Sequence, residues 1–192
     1  ALVDGQPKTL NLFELLDCFL RHRQEVVTRR SLFELRKARE RSRTLEGLAV
    51  ALANIDEIVE LIKTSKTPSE ARERLTGQFW NPGSIVEKMI QEVDSAKKSG
   101  FEVVGRLGDE GYKLDESQAK DILEMRLQRL TGLEQDKILQ EYREVNERII
   151  ELIEIIENPK TLMEVIRKEL CEIKEAYGEP RRTEISSQKE DL

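Results

Sequence analysis

The sequence is poor in the residues that do chemistry. His22 is its only histidine, and one imidazole builds neither a histidine metal site nor a Ser-His-Asp triad. Two cysteines, Cys18 and Cys171, are too few for a disulfide framework or a zinc site. Their scarcity suits a reducing, cytoplasmic setting. No apolar run approaches the roughly 20 residues that a membrane-spanning helix needs, and no secretory leader is read at the start. Aromatic residues make up 5% of the chain and apolar residues 38%, below the share a compact globule uses. That share suits thin apolar seams better than a thick core.

What is abundant is charge, at 36% of residues. Long exposed helices with thin apolar seams need that balance. The formal net charge of −6 argues against the chain as a whole acting as an electrostatic nucleic-acid binder. Both ends read as cuts from a longer polypeptide: a turn-like Asp4-Gly5-Gln6-Pro7 opens the chain and a polar Ser186-Ser187-Gln188-Lys189 closes it.

Proline and glycine are placed as punctuation. None occurs between Asn11 and Gly47. Asn11 and Glu14 form a capping-box pattern, in which the Asn side chain accepts from the third amide and the Glu reaches back. The pattern predicts one helix to about Asn54, about 66 Å long at 1.5 Å per residue. Such a helix needs a partner along its length. Its seam begins at Leu12, Leu16, Phe19 and Val26, then runs through Leu32, Leu35, Ala38, Ser42, Leu45, Ala49 and Leu52. Those are heptad-type steps.

The middle is cut into short pieces. Asn54 with Glu57, Thr67-Pro68-Ser69-Glu70, Ser84 with Glu87, and Asp115 with Gln118 each predict a capped helix start. Asn81-Pro82-Gly83 reads as a turn. Lys97 to Gly111 reads as loop, with a short extended piece at 101–104. The helix from Asp115 is predicted through Leu130 and stopped by Gly132. Its Ile122 and Met125 lie on a different face from Leu123, Leu127 and Leu130, so one face is free to meet a second copy. The candidate dimer interface is Ile122, Met125, Arg129 and Tyr112; Trp80 and Tyr112 are read as core or dimer packing.

After Thr131 the cleanest stripe begins: Ile138, Tyr142, Val145, Ile149, Leu152 and Ile156. Asn158-Pro159 interrupts it, because proline disfavours helix in the residue before it. A further helix follows, to Gly178.

Charge pairs the two arms. Arg21 to Arg43 carries nine bases and three acids, a net +6, whereas Glu134 to Glu157 carries three bases and eight acids, a net −5. Flanking charges choose partner and orientation. An antiparallel register with facing indices summing to about 188 follows from placing the knob between the arms. It sets Lys37 near Glu151, Arg41 near Glu147 and Cys18 near Cys171, with both thiols reduced. The basic cluster Arg21, Arg23, Arg29 and Arg30 has three readings: it serves the acidic partner arm, forms a solvated face, or contacts a phosphate backbone such as that of DNA. The expected fold is all-α, with a long antiparallel coiled-coil arm and a small helical dimerisation knob. Its parts are 1–54 (first arm), 55–132 (knob), 133–178 (returning arm, broken at Asn158-Pro159) and 179–192 (polar tail).

The strings Ala1-Leu2-Val3-Asp4-Gly5-Gln6-Pro7 and Arg21-His22-Arg23-Gln24-Glu25-Val26-Val27-Thr28-Arg29-Arg30 resemble the A-subunit family of bacterial DNA gyrase, a type IIA topoisomerase. So do Ala51-Leu52-Ala53-Asn54-Ile55-Asp56, the run from Met125 to Glu134, and Arg181-Arg182-Thr183-Glu184-Ile185. The resemblance covers nearly the whole chain; the corresponding protein of topoisomerase IV shares the architecture. It implies the exit gate of such an enzyme, in which two arms end in knobs that pair, part and reclose around a departing DNA duplex. The partners implied are a second copy (a homodimer), the gyrase B protein and DNA in transit, with no membrane. The family's arginine–tyrosine cleavage motif is absent, since Tyr112, Tyr142 and Tyr177 stand in other contexts. The resemblance thus implies no catalytic, cofactor or metal residue here; ATP and magnesium belong to the B protein of the complex. The competing reading is an independent coiled-coil scaffold.

Overall fold

A computed structural model describes residues 1–3, 5–83, 86, 107–108, 111–125 and 132–185. The chain packs as two units: Ala1–Arg29 with the chain from Asn158 onward, and Arg30–Glu157. It is dominated by helix, and helix α1 spans Leu12–Ala53. The first turn of α1 is fixed by the predicted capping box. Asn11 N donates to Glu14 Oε2, and Glu14 N donates to Asn11 Oδ1, both at 2.9 Å. With no proline or glycine for the next 35 residues, nothing stops the helix once started.

In the second unit, α1 pairs with α5, Gly132–Glu157 (α2 to α4 are given below). Two sets of heptad positions are buried: Leu35, Ser42, Leu45, Ala49 and Leu52 on α1, and Ile138, Tyr142, Ile149 and Leu152 on α5. Leu35, Ser42 and Ala49 occupy a positions, as do Tyr142 and Ile149. Leu45, Leu52, Ile138 and Leu152 occupy d positions. This is the antiparallel coiled-coil arm that the stripes predict.

At the Leu45–Leu52 end the seam widens into a globular core. Helices α2 (Ile55–Thr64), α3 (Pro68–Gly77) and α4 (Glu116–Leu123) close over it with Ile58, Leu61, Ala71, Leu75, Ala119 and Ile122. Local sequence sets each start. Thr67 Oγ1 accepts from Glu70 N at 3.2 Å, with Pro68 at the first helical position. Asp115 and Gln118 form a reciprocal capping box at 2.7 and 3.0 Å. Asn54 departs from its predicted role. Its side chain makes no cap; instead Nδ2 donates to Val50 O at 2.8 Å and to Asn81 O at 2.6 Å. A buried amide does more by satisfying two inward-facing carbonyls than by capping an end.

A small sheet accompanies the predominantly helical fold. Strands β3 (Phe79–Trp80), β4 (Leu107–Gly108) and β5 (Gly111–Lys113) pair antiparallel in the order β3-β5-β4. Trp80 faces Tyr112, and Gly108 faces Gly111. Gly111 has φ +125°, and a Cβ there would stand 2.7 Å from Trp80 O. The extended piece expected at 101–104 lies outside the described residues. So does the cap expected at Ser84; the helix expected through Leu130 ends earlier, at Leu123, with residues 126–130 outside the described residues.

The first unit is thinner. A two-stranded hairpin, β1 (Leu2–Val3) with β2 (Gln6–Pro7), turns at Gly5, whose φ is +76°. Helix α6, Pro159–Tyr177, starts from Asn158, whose Oδ1 accepts from Lys160 N at 3.0 Å. Val27 and Ile166 are the fully buried apolar residues among those described in this unit. Leu12, Phe13, Leu15, Leu16, Phe19, Ile173 and Tyr177 are all exposed.

Candidate functional site

The arm of the second unit is held by two matching ion pairs on one flank. Arg41 donates from Nε to Glu141 Oε1 at 2.6 Å and from Nη2 to Glu141 Oε2 at 2.9 Å. Arg148 donates to Glu34 Oε2 at 2.7 Å and to Glu151 Oε2 at 3.0 Å. Hydrogen bonding to Glu141 holds the Arg41 guanidinium above its ordinary value, against the opposing pull of burial; hydrogen bonds to Glu34 and then Glu151 do the same for Arg148.

These pairs correct the sequence expectation. Arg41 does not reach Glu147, and Glu151 pairs with Arg148, not with Lys37. Lys37 Nζ sits 4.7 Å from the centroid of the Phe33 ring instead. The facing register is nonetheless near its expected value: Ser42 Oγ lies 3.3 Å from Asn146 Oδ1, and the Tyr142 hydroxyl donates to Glu46 at 3.2 Å. The error was to pair charges straight across the seam. Glu34, Arg41, Glu141 and Arg148 each precede an a-position residue. Two such positions meet on the same flank several residues off the facing index, which is how antiparallel coils place their ion pairs.

Where the arm meets the knob core, a polar network joins four segments. The Tyr112 hydroxyl donates to Glu46 Oε2 at 3.1 Å, and the Tyr142 hydroxyl donates to Oε1 of the same carboxylate. Gln118 Nε2 donates to Tyr112 at 2.9 Å and to Arg43 O at 2.7 Å. Burial, then the Glu46 charge, pushes the Tyr142 phenol well above its ordinary range. Gly47 makes the junction possible, because a Cβ there would stand 2.9 Å from Gln118 Cβ and Cγ. This network was not anticipated; Glu46 looked like any other acid in a charged helix.

Two candidate interface residues are also corrected. Tyr112 and Ile122 are 2% and 3% exposed, packed into the chain's own core, so neither presents a surface to a second copy. Leu123 and Met125 are partly buried against that core as well. Arg129 lies outside the described residues. Of the basic cluster, Arg21 pairs with Asp17, Arg23 with Glu169 at 2.5 Å, and Arg30 with Glu34 at 4.0 Å, while Arg29 is exposed. Cys18 and Cys171 are both free thiols. An open apolar groove of about 520 Å³ in the first unit is lined by Leu20, Met163, Ile166, Leu170 and Cys171 among others.

Among the described residues no group of three or more His, Cys, Asp or Glu side chains is placed to hold a metal ion. No helix among them is long and apolar enough to cross a membrane. The site is thus a set of helix–helix contacts and charged faces.

Comparison with known proteins identifies the family. The family model for the A protein of DNA gyrase and topoisomerase IV matches residues 1–171. The DNA gyrase A protein of Pseudomonas aeruginosa is 54% identical over 194 aligned residues, covering 100% of this chain and 21% of that protein. The gyrase A proteins of Aeromonas salmonicida and Salmonella typhimurium are 48% and 47% identical, again over 100% of this chain and 21% and 22% of theirs. The chain thus spans about a fifth of the length of the curated relatives it matches. On this match, carried over nearly its whole length, the chain belongs to the A-subunit family of DNA gyrase and topoisomerase IV.

Proposed function

We propose that the chain is the exit-gate dimerisation module of a DNA gyrase A protein. It holds two copies closed and opens to release the transported duplex during ATP-dependent strand passage. Residues 1–54 and 133–178 are its arms, residues 55–132 its knob and 179–192 its tail. The gyrase B protein supplies the ATP and magnesium chemistry of the full complex, in the cytoplasm. The observation that carries this reading is the pairing of family membership with the fold. A segment of a gyrase A-family protein consists of an antiparallel coil leading into a compact helical core. The same gate in topoisomerase IV is the second reading, since the matching family description names both enzymes.

Light scattering on the purified chain tests the proposal. A particle of twice the 22.3 kDa chain mass at micromolar concentration is expected. A monomer under those conditions overturns the gate and leaves an independent coiled-coil scaffold.

A further inference from the structure

The coil uses its cations selectively. Arg41 and Arg148 are engaged on the flanks of the seam. Arg36, Lys37 and Arg43 fall at outer heptad positions, pointing away from the seam, and all three are exposed. Among the described residues no carboxylate forms an ion pair with any of them. Glu40 is the one acid between residues 36 and 43, and its spacing from Arg36 and Lys37 allows pairing on one helix face. The pairing is not made. A merely solvated helix face interleaves both signs of charge. This outer face shows three cations, Arg36, Lys37 and Arg43, against one acid, Glu40.

The spacing is also regular. Arg36 and Arg43 stand one heptad apart, about 10.5 Å along the axis. Lys37 rides on the exposed Phe33 ring, which holds its long stem over one side of the helix. None of these three groups forms an ion pair across the seam, where Arg41 and Arg148 supply the contacts.

We propose that this outer face of α1 is a contact strip for the phosphate backbone of duplex DNA, with Arg36, Lys37 and Arg43 as its cations. The inference rests on the exit-gate reading, in which a duplex moves past the arms. It deepens that reading by moving the DNA contact from the basic cluster singled out in the sequence, where Arg21, Arg23 and Arg30 are held in ion pairs, to cations one turn and more further along. Three phosphate contacts without base readout make a weak, sequence-independent and salt-sensitive interaction. Such contact lets a duplex slide, whereas a tight site would hold it in the gate.

The test is fluorescence anisotropy of a labelled mixed-sequence duplex with the full 192-residue chain. Between about 50 and 200 mM salt the affinity is expected to fall about forty-fold, as for about three neutralised phosphates. The triple variant Arg36→Gln/Lys37→Gln/Arg43→Gln is expected to bind about ten-fold more weakly or worse, and Arg36→Lys/Arg43→Lys to bind like the parent. Arg21→Gln with Arg30→Gln is expected to change affinity less than about two-fold. Unchanged circular dichroism certifies each variant's fold. Absence of binding at about 50 mM salt, or a triple variant that binds like the parent, overturns the strip. Light scattering on the same samples separates the two proposals. A dimer that ignores DNA sinks the strip alone, and a monomer that binds DNA through these residues sinks the gate alone.

Discussion

Arg41 and Glu141, 100 residues apart in sequence, meet through two parallel hydrogen bonds of 2.6 and 2.9 Å. Both side chains remain 42% exposed. Two-pronged geometry fixes relative height along the coil better than a single contact does. Water still screens the pair, so its energy is small. A double-mutant cycle with Arg41→Gln and Glu141→Gln should give a coupling of about 0.5 kcal/mol by urea denaturation, shrinking in high salt. A coupling of several kcal/mol would mean that the pair is far drier than its exposure indicates.

Tyr142 leads to a pH prediction. Burial and Glu46 raise its folded-state pKa above an ordinary value of about 10. A group raised on folding contributes stability that is whole below its unfolded pKa. That contribution is lost as pH climbs toward the folded one. Stability should therefore stay level to about pH 9.5 and then fall by up to about 1.4 kcal/mol per pH unit from this group. Tyr142→Phe should cost about 1 kcal/mol at neutral pH and flatten that alkaline decline. Equal alkaline slopes in parent and variant would refute the assignment.

Gly47→Ala should behave against the usual rule. Inside an exposed helix, replacing glycine by alanine stabilises by about 1 kcal/mol. At Gly47 the new methyl meets Gln118 carbons at 2.9 Å. Loss of about 1–3 kcal/mol is expected, since Gln118 cannot retreat without dropping its bonds to Tyr112 and Arg43. A gain in melting temperature would show that α4 yields easily.

Asp115→Ala removes one half of the α4 capping box. A cost of about 1 kcal/mol is expected. Asp115→Asn should recover most of it, because the amide oxygen still accepts from Gln118 N. If both variants match the parent in chemical denaturation, the box contributes nothing.

Much of this was legible in the sequence because it is local or periodic. The Asn11, Thr67 and Asp115 helix starts are set by side chains within three residues, and the buried heptads of α1 and α5 follow from spacing alone. The misses share a different cause. Asn54 turned inward because its amide reaches carbonyls of two separate segments, Val50 O and Asn81 O. Phe79-Trp80 became a strand only by pairing with residues more than thirty positions on. Ile122 looked free because a helix of eight residues does not say which of its faces is the buried one; Ile122 shares that face with Gln118 and Ala119. Charge totals named the right partner helices, but totals are blind to which flank a side chain occupies; Arg41 and Glu141 found each other by heptad position.

The chain has one tryptophan. Trp80 lies 2% exposed in the second unit, with its indole donating to Leu75 O at 2.9 Å. Its emission is therefore a built-in optical reporter of that unit alone, silent about Ala1–Arg29 and the chain from Asn158 onward. Far-ultraviolet dichroism sees helix in both. Followed together through a thermal melt, the two signals state how cooperative the molecule is. Coincident curves mean that the sparsely buried first unit depends on the second for its stability. An early loss of dichroism before any red shift means that it melts by itself.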